Sequence, residues 1–315
     1  MLARARHAPL LRARSRHPHR RNRAWQPRRL HPGGHQHPAL LRGPGKGGGP
    51  MIRLIASDMD GTLLDGQDKL PPGFWGLLAR LREQDIHFVV ASGRPYIGLQ
   101  DIFQDSPVQP DFICDNGAYL VEGGELAAVH TIEREKLLRL LGVLGSLPGV
   151  FVSLCGLQGC YVPPSVENLP PEILSFYQKS KIVSDLTKVE DEIFKVSVDD
   201  IHEPQNNSYP ALQKVFGDGL SLQISAGTCM DVMDAGINKG VALRDLQRRL
   251  GITSDETMAF GDYFNDVGML QSAKYSFAME NSHPDIFQHA AYRAKSNREY
   301  GVIQAIETYV FSPEG

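Results

Sequence analysis

The sequence lacks any long run of apolar residues. A membrane-spanning helix needs roughly 18 consecutive apolar residues, and no stretch of the 315 residues approaches that length. We therefore predict that the protein does not cross a membrane. Because 42% hydrophobic and 22% charged residues are ordinary proportions for a globular protein, a sizeable core can form. The length suggests about two folded units.

Cysteine is also scarce. The four cysteines are Cys114, Cys155, Cys160 and Cys229. They form no paired CxxC motifs, and four are too few to suggest a disulfide framework in a chain of this length. We expect reduced thiols, which are typical of a reducing compartment, and therefore predict a cytoplasmic protein.

Acidic residues are absent from the first fifty positions, which hold eleven Arg and one Lys. Because this segment has few apolar residues and many Pro and Gly, it cannot bury enough surface to offset its ordering entropy. Residues 1–50 are therefore predicted to be a disordered basic extension, with an organellar transit peptide or a basic RNA-binding arm as alternatives. Met51 directly precedes a strand-like run, so we expect Met51 to be the native start, and mass spectrometry of the native amino terminus tests this.

The remainder of the chain is acidic. Residues 51–315 hold 21 of the 33 basic residues and all 36 acidic residues, a formal charge of −15. Nucleic-acid binding depends on a basic surface that neutralises phosphates, so no nucleic-acid partner is predicted. An anionic substrate would instead need a local positive site, such as a bound metal ion.

Two parts of the chain, residues 51–130 and 229–315, alternate short apolar runs with helical patterns. This alternation is typical of a doubly wound, mostly parallel, Rossmann-like α/β sheet. Residues 131–228 instead carry several strand candidates separated by helical stretches and Pro-rich turns. We predict that this middle part is an α+β domain inserted into the α/β core.

The pattern also gives bounds for individual elements. A helix can start at Pro71 or Pro72, since Pro is tolerated in the first turn, and Phe74, Leu77, Leu78 and Leu81 recur on its core face. The other predicted helices are 239–250, 264–272 and 299–310. The predicted strands are 52–57, 86–91, 112–114, 151–154, 194–198, 220–224, 257–260 and 275–279.

The sequence Asp58-Met59-Asp60-Gly61-Thr62 directly follows the first predicted strand. In open α/β sheets, ligands bind beyond the carboxyl ends of the strands. Asp58 and Asp60 are expected to point to the same side of an extended segment. Two carboxylates so near to each other need a cation or a shared proton. Gly61 lets backbone N–H groups approach an anion, so it is a candidate phosphate-binding residue. The simpler alternative is a solvated Asp-Gly turn.

A second acidic cluster follows the strand at 257–260. Asp262 lies at the end of that strand, while Asn265 and Asp266 open the next helix, where Asn or Asp as a helix cap is the simpler explanation. Combined with Asp58 and Asp60, however, the Asp262 carboxylate completes an all-oxygen site of the kind that Mg²⁺ prefers. We therefore predict a Mg²⁺ site formed by Asp58, Asp60 and Asp262.

Three further residues are candidates for holding phosphate or substrate. Ser92 ends the second strand and offers a hydroxyl, although a serine there is commonly only a helix cap. Lys239 opens a helix, where the helix dipole mildly disfavours a cation, and a role in balancing the carboxylates and a phosphate would explain its placement. Arg94 could contact substrate or form a surface salt bridge.

Taken in order, these residues resemble the four motifs of the haloacid dehalogenase superfamily. The motifs are Asp58–Thr62, Ser92, Lys239, and Gly261-Asp262 with Asn265-Asp266. The insertion before Lys239, the turn at 116–118, and Ser296-Asn297 with Gly301-Val302 resemble its Cof-type phosphatases, which carry a C2-type cap domain between the second and third motifs. The resemblance covers about residues 51–310, and residues 1–50 have no counterpart.

The resemblance implies a role for each site residue. Asp58 would attack phosphorus and form an aspartyl-phosphate. Asp60 would protonate the leaving oxygen and then activate water, while its backbone carbonyl binds Mg²⁺. Asp262 would be a direct Mg²⁺ ligand. The phosphoryl group would be contacted by Ser92, Lys239 and Asn265. Asp266 would support the metal and Lys239.

The implied function is a Mg²⁺-dependent phosphatase acting on small phosphorylated metabolites, such as sugar phosphates, nucleotides, flavin mononucleotide or pyridoxal phosphate. One rival is a phosphomutase or phosphotransferase on the same scaffold, which would need an acceptor before it released the phosphoryl group. A second rival is a receiver-like signalling protein, which Asp60 and the inserted domain argue against. The substrate, the cap residues that select it and the oligomeric state do not follow from the sequence.

Overall fold

The computed structural model describes residues 51–169, 174, 177, 180–226 and 228–312. The predicted basic extension, residues 1–50, lies outside this range. Among the helices of the described part, none is both long and apolar enough to cross a bilayer.

The described residues form fourteen strands that belong to two sheets. The strands are β1 Leu54–Asp58, β2 His87–Ala91, β3 Asp111–Cys114, β4 Tyr119–Glu122, β5 Glu125–Val129, β6 Val150–Gly156, β7 Gly159–Val162, β8 Lys181–Ile182, β9 Ile193–Asp200, β10 Leu220–Ala226, β11 Cys229–Asp234, β12 Thr257–Gly261, β13 Tyr275–Met279 and β14 Tyr292–Ala294. The larger sheet has the order β14-β13-β12-β1-β2-β3-β4-β5. Its strands from β14 to β3 are parallel, and β4 and β5 add an antiparallel edge.

Helices cover both faces of this larger sheet. The α-helices with described bounds are α1 Phe74–Glu83, α2 Tyr96–Phe103, α3 Arg134–Gly145, α4 Ser208–Phe216, α5 Lys239–Leu250, α6 Val267–Leu270 and α7 Gly301–Ile306. Residues of α1, α2 and α7 pack with Ile55 of β1 in one apolar cluster. Residues of α5 and α6 pack with Leu54 and Ala56 in the other. Alternate residues of one strand thus enter opposite cores, which confirms the predicted doubly wound, mostly parallel α/β fold.

Small side chains line part of the sheet face that packs with α5 and α6. Ala56, Ala91 and Ala259, from three adjacent strands, belong to that apolar cluster, and all three are buried. The opposite face carries larger residues, such as Phe88 and Phe260. The bounds of α5 and β13 agree with the prediction from sequence.

The second sheet has the order β10-β11-β9-β6-β7-β8 and is antiparallel except for the β7–β8 pair. Helices α3 and α4 pack against one apolar face of this sheet. The other face carries polar side chains that are nevertheless buried, including Ser153, Lys195, Asp199 and Asp231. This mixture of strands and helices has the predicted α+β character.

The predicted boundary between the inserted domain and the second part of the α/β core is wrong for this sheet. The sequence pattern places residues from 229 onward in the α/β core, yet β11 pairs with β9 and β10 of the six-stranded sheet. The polar residues Asp231 and Asp234 made this strand difficult to recognise. The division into core and inserted domain stays a prediction, but its second boundary must lie after Asp234.

Several predicted element ends differ in the structure. Helix α1 begins at Phe74 rather than at Pro71 or Pro72, because Gly73 at φ 81° separates the prolines from the helix. The predicted helix 264–272 is a 3₁₀ turn, Phe264–Asp266, followed by the short helix α6. The predicted helix 299–310 is interrupted at Tyr300, which has a φ of 59°.

Candidate active site

Strand register places three motifs at one edge of the larger sheet. Asp58 is level with Ala91 on β2, so Ser92 lies one residue beyond the pair. Ser57 is level with Phe260 on β12, so Asp262 follows shortly after the end of that strand. The carboxyl ends of the parallel strands therefore bring Asp58, Ser92 and Asp262 to a common edge.

Three carboxylates converge at this edge. Asp58, Asp262 and Asp266 each place one oxygen within 4.8 Å of the others. Asp266 is completely buried, and Asp58 is only 5% exposed. The hydroxyl of Thr62 donates to Oδ1 of Asp262 over 3.2 Å. The sequence predicted that Asp58 and Asp262 would lie together, and it placed Asp266 only in a supporting position.

Gly61 is required where the chain turns away from β1. Its φ is 80°, and a Cβ at this position would lie 2.4 Å from Oδ2 of Asp262. A side chain would therefore collide with the carboxylate in addition to straining the backbone. The absence of a side chain allows the loop to approach Asp262 closely.

Lys239 is the cation of the cluster. Its Nζ donates to Oδ1 of Asp58 over 2.5 Å and to Oδ1 of Asp266 over 2.7 Å, and the side chain is fully buried. The second oxygen of Asp266 accepts from the backbone N–H groups of Asp262 and Tyr263. Asp266 thus fixes the position of Lys239 and the backbone of the Asp262 loop.

The approach of two helices explains how Lys239 reaches Asp266. The side chain of Asn238 caps α5 by accepting from the N–H groups of Gly240 and Val241. A Cβ on Gly240 would lie 2.2 Å from the backbone of Gly268 in α6. Two glycines at this contact therefore allow α5 to lie directly against α6, the helix that begins next to Asp266.

The charges of the cluster do not balance. Among the described residues, these three carboxylates, Asp58, Asp262 and Asp266, face one ammonium, that of Lys239. Burial, reinforced by Asp266 and Asp262, raises the pKa of the Asp58 carboxyl well above its usual value, although Lys239 opposes the shift. Burial and Asp266 raise the pKa of Asp262 to about 6. Burial alone would lower the pKa of Lys239, but Asp266 and Asp58 outweigh it and raise that pKa.

These properties fit a divalent cation. The three oxygens are hard ligands of the kind that Mg²⁺ prefers, and a cation would compensate the excess negative charge of the buried group. Asp58 and Asp262 are the better candidates for direct contact. Both oxygens of Asp266 are already engaged by Lys239 and by backbone N–H groups.

The side chain of Asp60 does not join this cluster, contrary to the prediction. Its carboxylate accepts from Nε of Arg94 over 3.0 Å and from Nη2 over 2.5 Å. The expectation assumed an extended chain through Asp60, but β1 ends at Asp58 and the chain then coils, with the N–H of Leu64 bonded to the carbonyl of Met59. The alternation of side chains therefore stops at Asp58. Of the two roles that the sequence allowed for Arg94, the structure shows the salt bridge.

The other predicted phosphate-binding residues lie on neighbouring loops. The hydroxyl oxygen of buried Ser92 accepts from the N–H of Arg94 over 3.1 Å. The Ser92 carbonyl accepts from the N–H of Asn116, which has a φ of 56°. Asn265 donates from Nδ2 to Oδ1 of Asn116 over 3.0 Å. The turn at Asn116 thus joins the Ser92 loop to the Asn265 loop.

Sequence reasoning from the residues alone missed two supporting asparagines. Asn281 donates to the carbonyl of Gly61 over 2.8 Å, and Asn297 donates from its side chain to the carbonyl of Leu64 over 2.8 Å. The N–H of Asn297 also donates to Oδ1 of Asn281. These contacts hold the segment after Asp58 in place. Only the resemblance singled out Asn297, and local pattern gave no signal for Asn281.

Comparison with known proteins agrees with this arrangement. Residues 55–306 match the family of haloacid dehalogenase-like hydrolases. The chain belongs to this family. Relatives include 5-amino-6-(5-phospho-D-ribitylamino)uracil phosphatase YbjI of Escherichia coli (strain K12), which is 30% identical over 81% of this chain and 95% of its own length. The HMP-PP phosphatase of Escherichia fergusonii is 31% identical over 75% of this chain and 87% of its own length.

A solved structure from Streptococcus mutans UA159 also resembles this haloacid dehalogenase-like hydrolase. The two are 30% identical, with a TM-score of 0.73 over 83% of this chain and all of the other. The family match and the phosphatase names of the relatives confirm the predicted enzyme class, a phosphatase of the haloacid dehalogenase type.

Proposed function

We propose that this phosphatase hydrolyses small phosphorylated metabolites with Mg²⁺ bound at Asp58, Asp262 and the backbone carbonyl of Asp60. The observation that carries the proposal is the cluster in which buried Asp58 and half-buried Asp262 converge while Lys239 fixes one oxygen of Asp58. When bound, Mg²⁺ would neutralise charge on the carboxylates and on the transferring phosphoryl group. The reaction is proposed to run in the cytoplasm.

Asp58 is proposed to act as the nucleophile. Lys239 holds Oδ1, so the second carboxylate oxygen would attack phosphorus while the bond between phosphorus and the leaving oxygen breaks. The product of this step is an aspartyl-phosphate. The ammonium of Lys239, the hydroxyl of Ser92 and the amide of Asn265 would contact the phosphoryl oxygens. Splitting the displacement into two steps divides a very high barrier.

Asp60 is proposed to transfer the protons. As an acid it would protonate the leaving oxygen, and as a base it would then take a proton from the water that attacks the aspartyl-phosphate. This second attack releases inorganic phosphate and restores Asp58. Arg94 occupies both oxygens of the Asp60 carboxylate, so neither oxygen is available to exchange a proton with the leaving group or with water. We therefore propose that the Asp60–Arg94 pair opens when substrate binds.

The substrate class follows from the relatives only in part. The names of the two Escherichia relatives indicate phosphorylated metabolites built on a uracil derivative or on HMP. We propose that this protein acts on small phosphate esters of similar size, including sugar phosphates, nucleotides and cofactor phosphates. A panel of such esters, assayed with and without Mg²⁺, identifies the preferred one.

The decisive test is phosphate release from p-nitrophenyl phosphate in the presence of Mg²⁺. The Asp58→Asn variant should lose at least about a thousandfold in turnover, because the amide cannot form the covalent intermediate. Its thermal unfolding should show that the fold survives. The matched control is Asp255→Asn, since Asp255 lies in an exposed pair with Lys274 and should leave turnover unchanged. Substantial turnover by Asp58→Asn would remove Asp58 from the nucleophilic role.

A further inference from the structure

The six-stranded sheet contains a pair of cysteines that the proposed reaction does not use. Cys155 on β6 and Cys160 on β7 are direct partners in the antiparallel register, joined by the two-residue turn at 157–158. All four cysteines lie in the described residues and are thiols rather than disulfides. Both Cys155 and Cys160 are half-buried, so neither is sealed in an apolar core.

The spacing of this pair suits a disulfide. Facing residues in an antiparallel pair have Cα atoms about 4.5 or 5.5 Å apart, depending on the kind of pair. Both distances fall within the range of roughly 4.4–6.8 Å found across disulfides. The strands could therefore be bridged without a large movement of the backbone.

The two thiols differ in their surroundings. A hydrogen bond from Cys155 is the main cause that lowers the pKa of Cys160 to about 6, and Ser180, Lys195 and Ser153 add to the shift. The same hydrogen bond, with burial, raises the pKa of Cys155 well above its usual value. Lys195 is the direct partner of Cys155 on the other neighbouring strand, β9. These surroundings therefore favour deprotonation of Cys160 over that of Cys155.

We propose that Cys155 and Cys160 form a reversible dithiol–disulfide couple, with Cys160 as the thiol that reacts with a hydroperoxide and Cys155 as the resolving thiol. This modification site is separate from the phosphatase chemistry and does not depend on it.

The chemistry balances in two steps. The Cys160 thiolate attacks one oxygen of hydrogen peroxide, the O–O bond breaks, and the departing hydroxide takes a proton to become water, which leaves a sulfenic acid on Cys160. The Cys155 sulfur then attacks the Cys160 sulfur. The S–O bond breaks, the thiol proton and the hydroxyl leave as a second water, and a disulfide remains.

The sequence allows a direct test by mass spectrometry. No Lys or Arg lies between Arg139 and Lys179, so trypsin releases both cysteines on the single peptide 140–179. After the full chain is treated with hydrogen peroxide, this peptide should lose the mass of two hydrogen atoms and resist alkylation. Dithiothreitol should restore two alkylatable thiols. A peptide 140–179 that keeps both thiols while Cys114 or Cys229 is oxidised would overturn the proposal.

Two variants test the assigned roles. Cys155→Ser should retain a sulfenic acid on Cys160 that dimedone traps, because the resolving thiol is gone. Cys160→Ser should give neither the disulfide nor a dimedone adduct on Cys155. Cys229→Ser, the matched control, should form the 155–160 disulfide like the unmodified chain. Trapping of Cys155 rather than Cys160 would contradict the assignment.

Discussion

Replacing Lys239 with methionine tests the electrostatic account of the site. The change keeps most of the side-chain volume but removes the ammonium that contacts Asp58 at 2.5 Å and Asp266 at 2.7 Å. All three groups are buried. Removing one partner from a buried ion pair typically costs about 3–5 kcal/mol, because the remaining charges lose their compensation.

This cost translates into a measurable shift in thermal stability. For a folded unit of this size, 1 kcal/mol corresponds to roughly 2–4 °C in Tm, so Lys239→Met should lower Tm by about 6–20 °C. Phosphatase turnover should be lost as well, since the variant no longer holds Asp58 or the phosphoryl group. The assay is differential scanning calorimetry in Mg²⁺-free buffer.

Lys274→Met provides the matched control for this experiment. Lys274 forms a 3.3 Å pair with Asp255, but both side chains are more than half exposed. Exposed pairs contribute at most about 1 kcal/mol, so the control should change Tm by only a few degrees. If Lys239→Met unfolded at the temperature of the unmodified protein, the buried cation would not stabilise the carboxylates and the reasoning would be refuted.

Two other changes test contacts around the site. Lys195 forms a buried 2.5 Å pair with Asp115. Lys195→Met should therefore lower the free energy of unfolding in urea by about 3–5 kcal/mol. Adding Asp115→Asn should recover part of this loss, and stability losses that simply add in the double variant would contradict the pairing. Gly61→Ala should lower Mg²⁺-dependent turnover at least about tenfold, because its Cβ would displace Asp262. Gly73 has a similar φ, but a Cβ there would meet nothing within 4 Å, so the control variant Gly73→Ala should keep normal turnover. Equal losses of turnover in the two variants would show that backbone strain alone is responsible.

The sequence predicted the sheet edge well because the relevant signals are local. A buried apolar strand directly precedes Asp58, another precedes Ser92, and a third precedes Asp262. Parallel pairing of these strands then leaves little freedom in where their carboxyl ends meet. The predicted bounds of α5 also agree with the structure, in which Asn238 caps its start and Gly251 at φ 63° ends it.

Features that depend on distant contacts did not follow from local sequence patterns. The direction of the Asp60 carboxylate depends on Arg94, which lies 34 residues away. The close approach of Lys239 to Asp266 depends on Gly240 meeting Gly268, and only the family resemblance implied that Asp266 supports Lys239. Strand β11 was missed as a member of the second sheet because the buried polar face of that sheet places Asp231 beside Lys195 and Ser197.

Calorimetric titration with Mg²⁺ tests the central claim most directly, because it reports on the cluster of Asp58, Asp262 and Asp266 without relying on turnover. The unmodified protein should bind a single Mg²⁺ per chain. Asp262→Asn should lose this binding, while Asp255→Asn should retain it. Mg²⁺ binding of equal strength in Asp262→Asn and the unmodified protein would contradict the assignment of this cluster as the metal site.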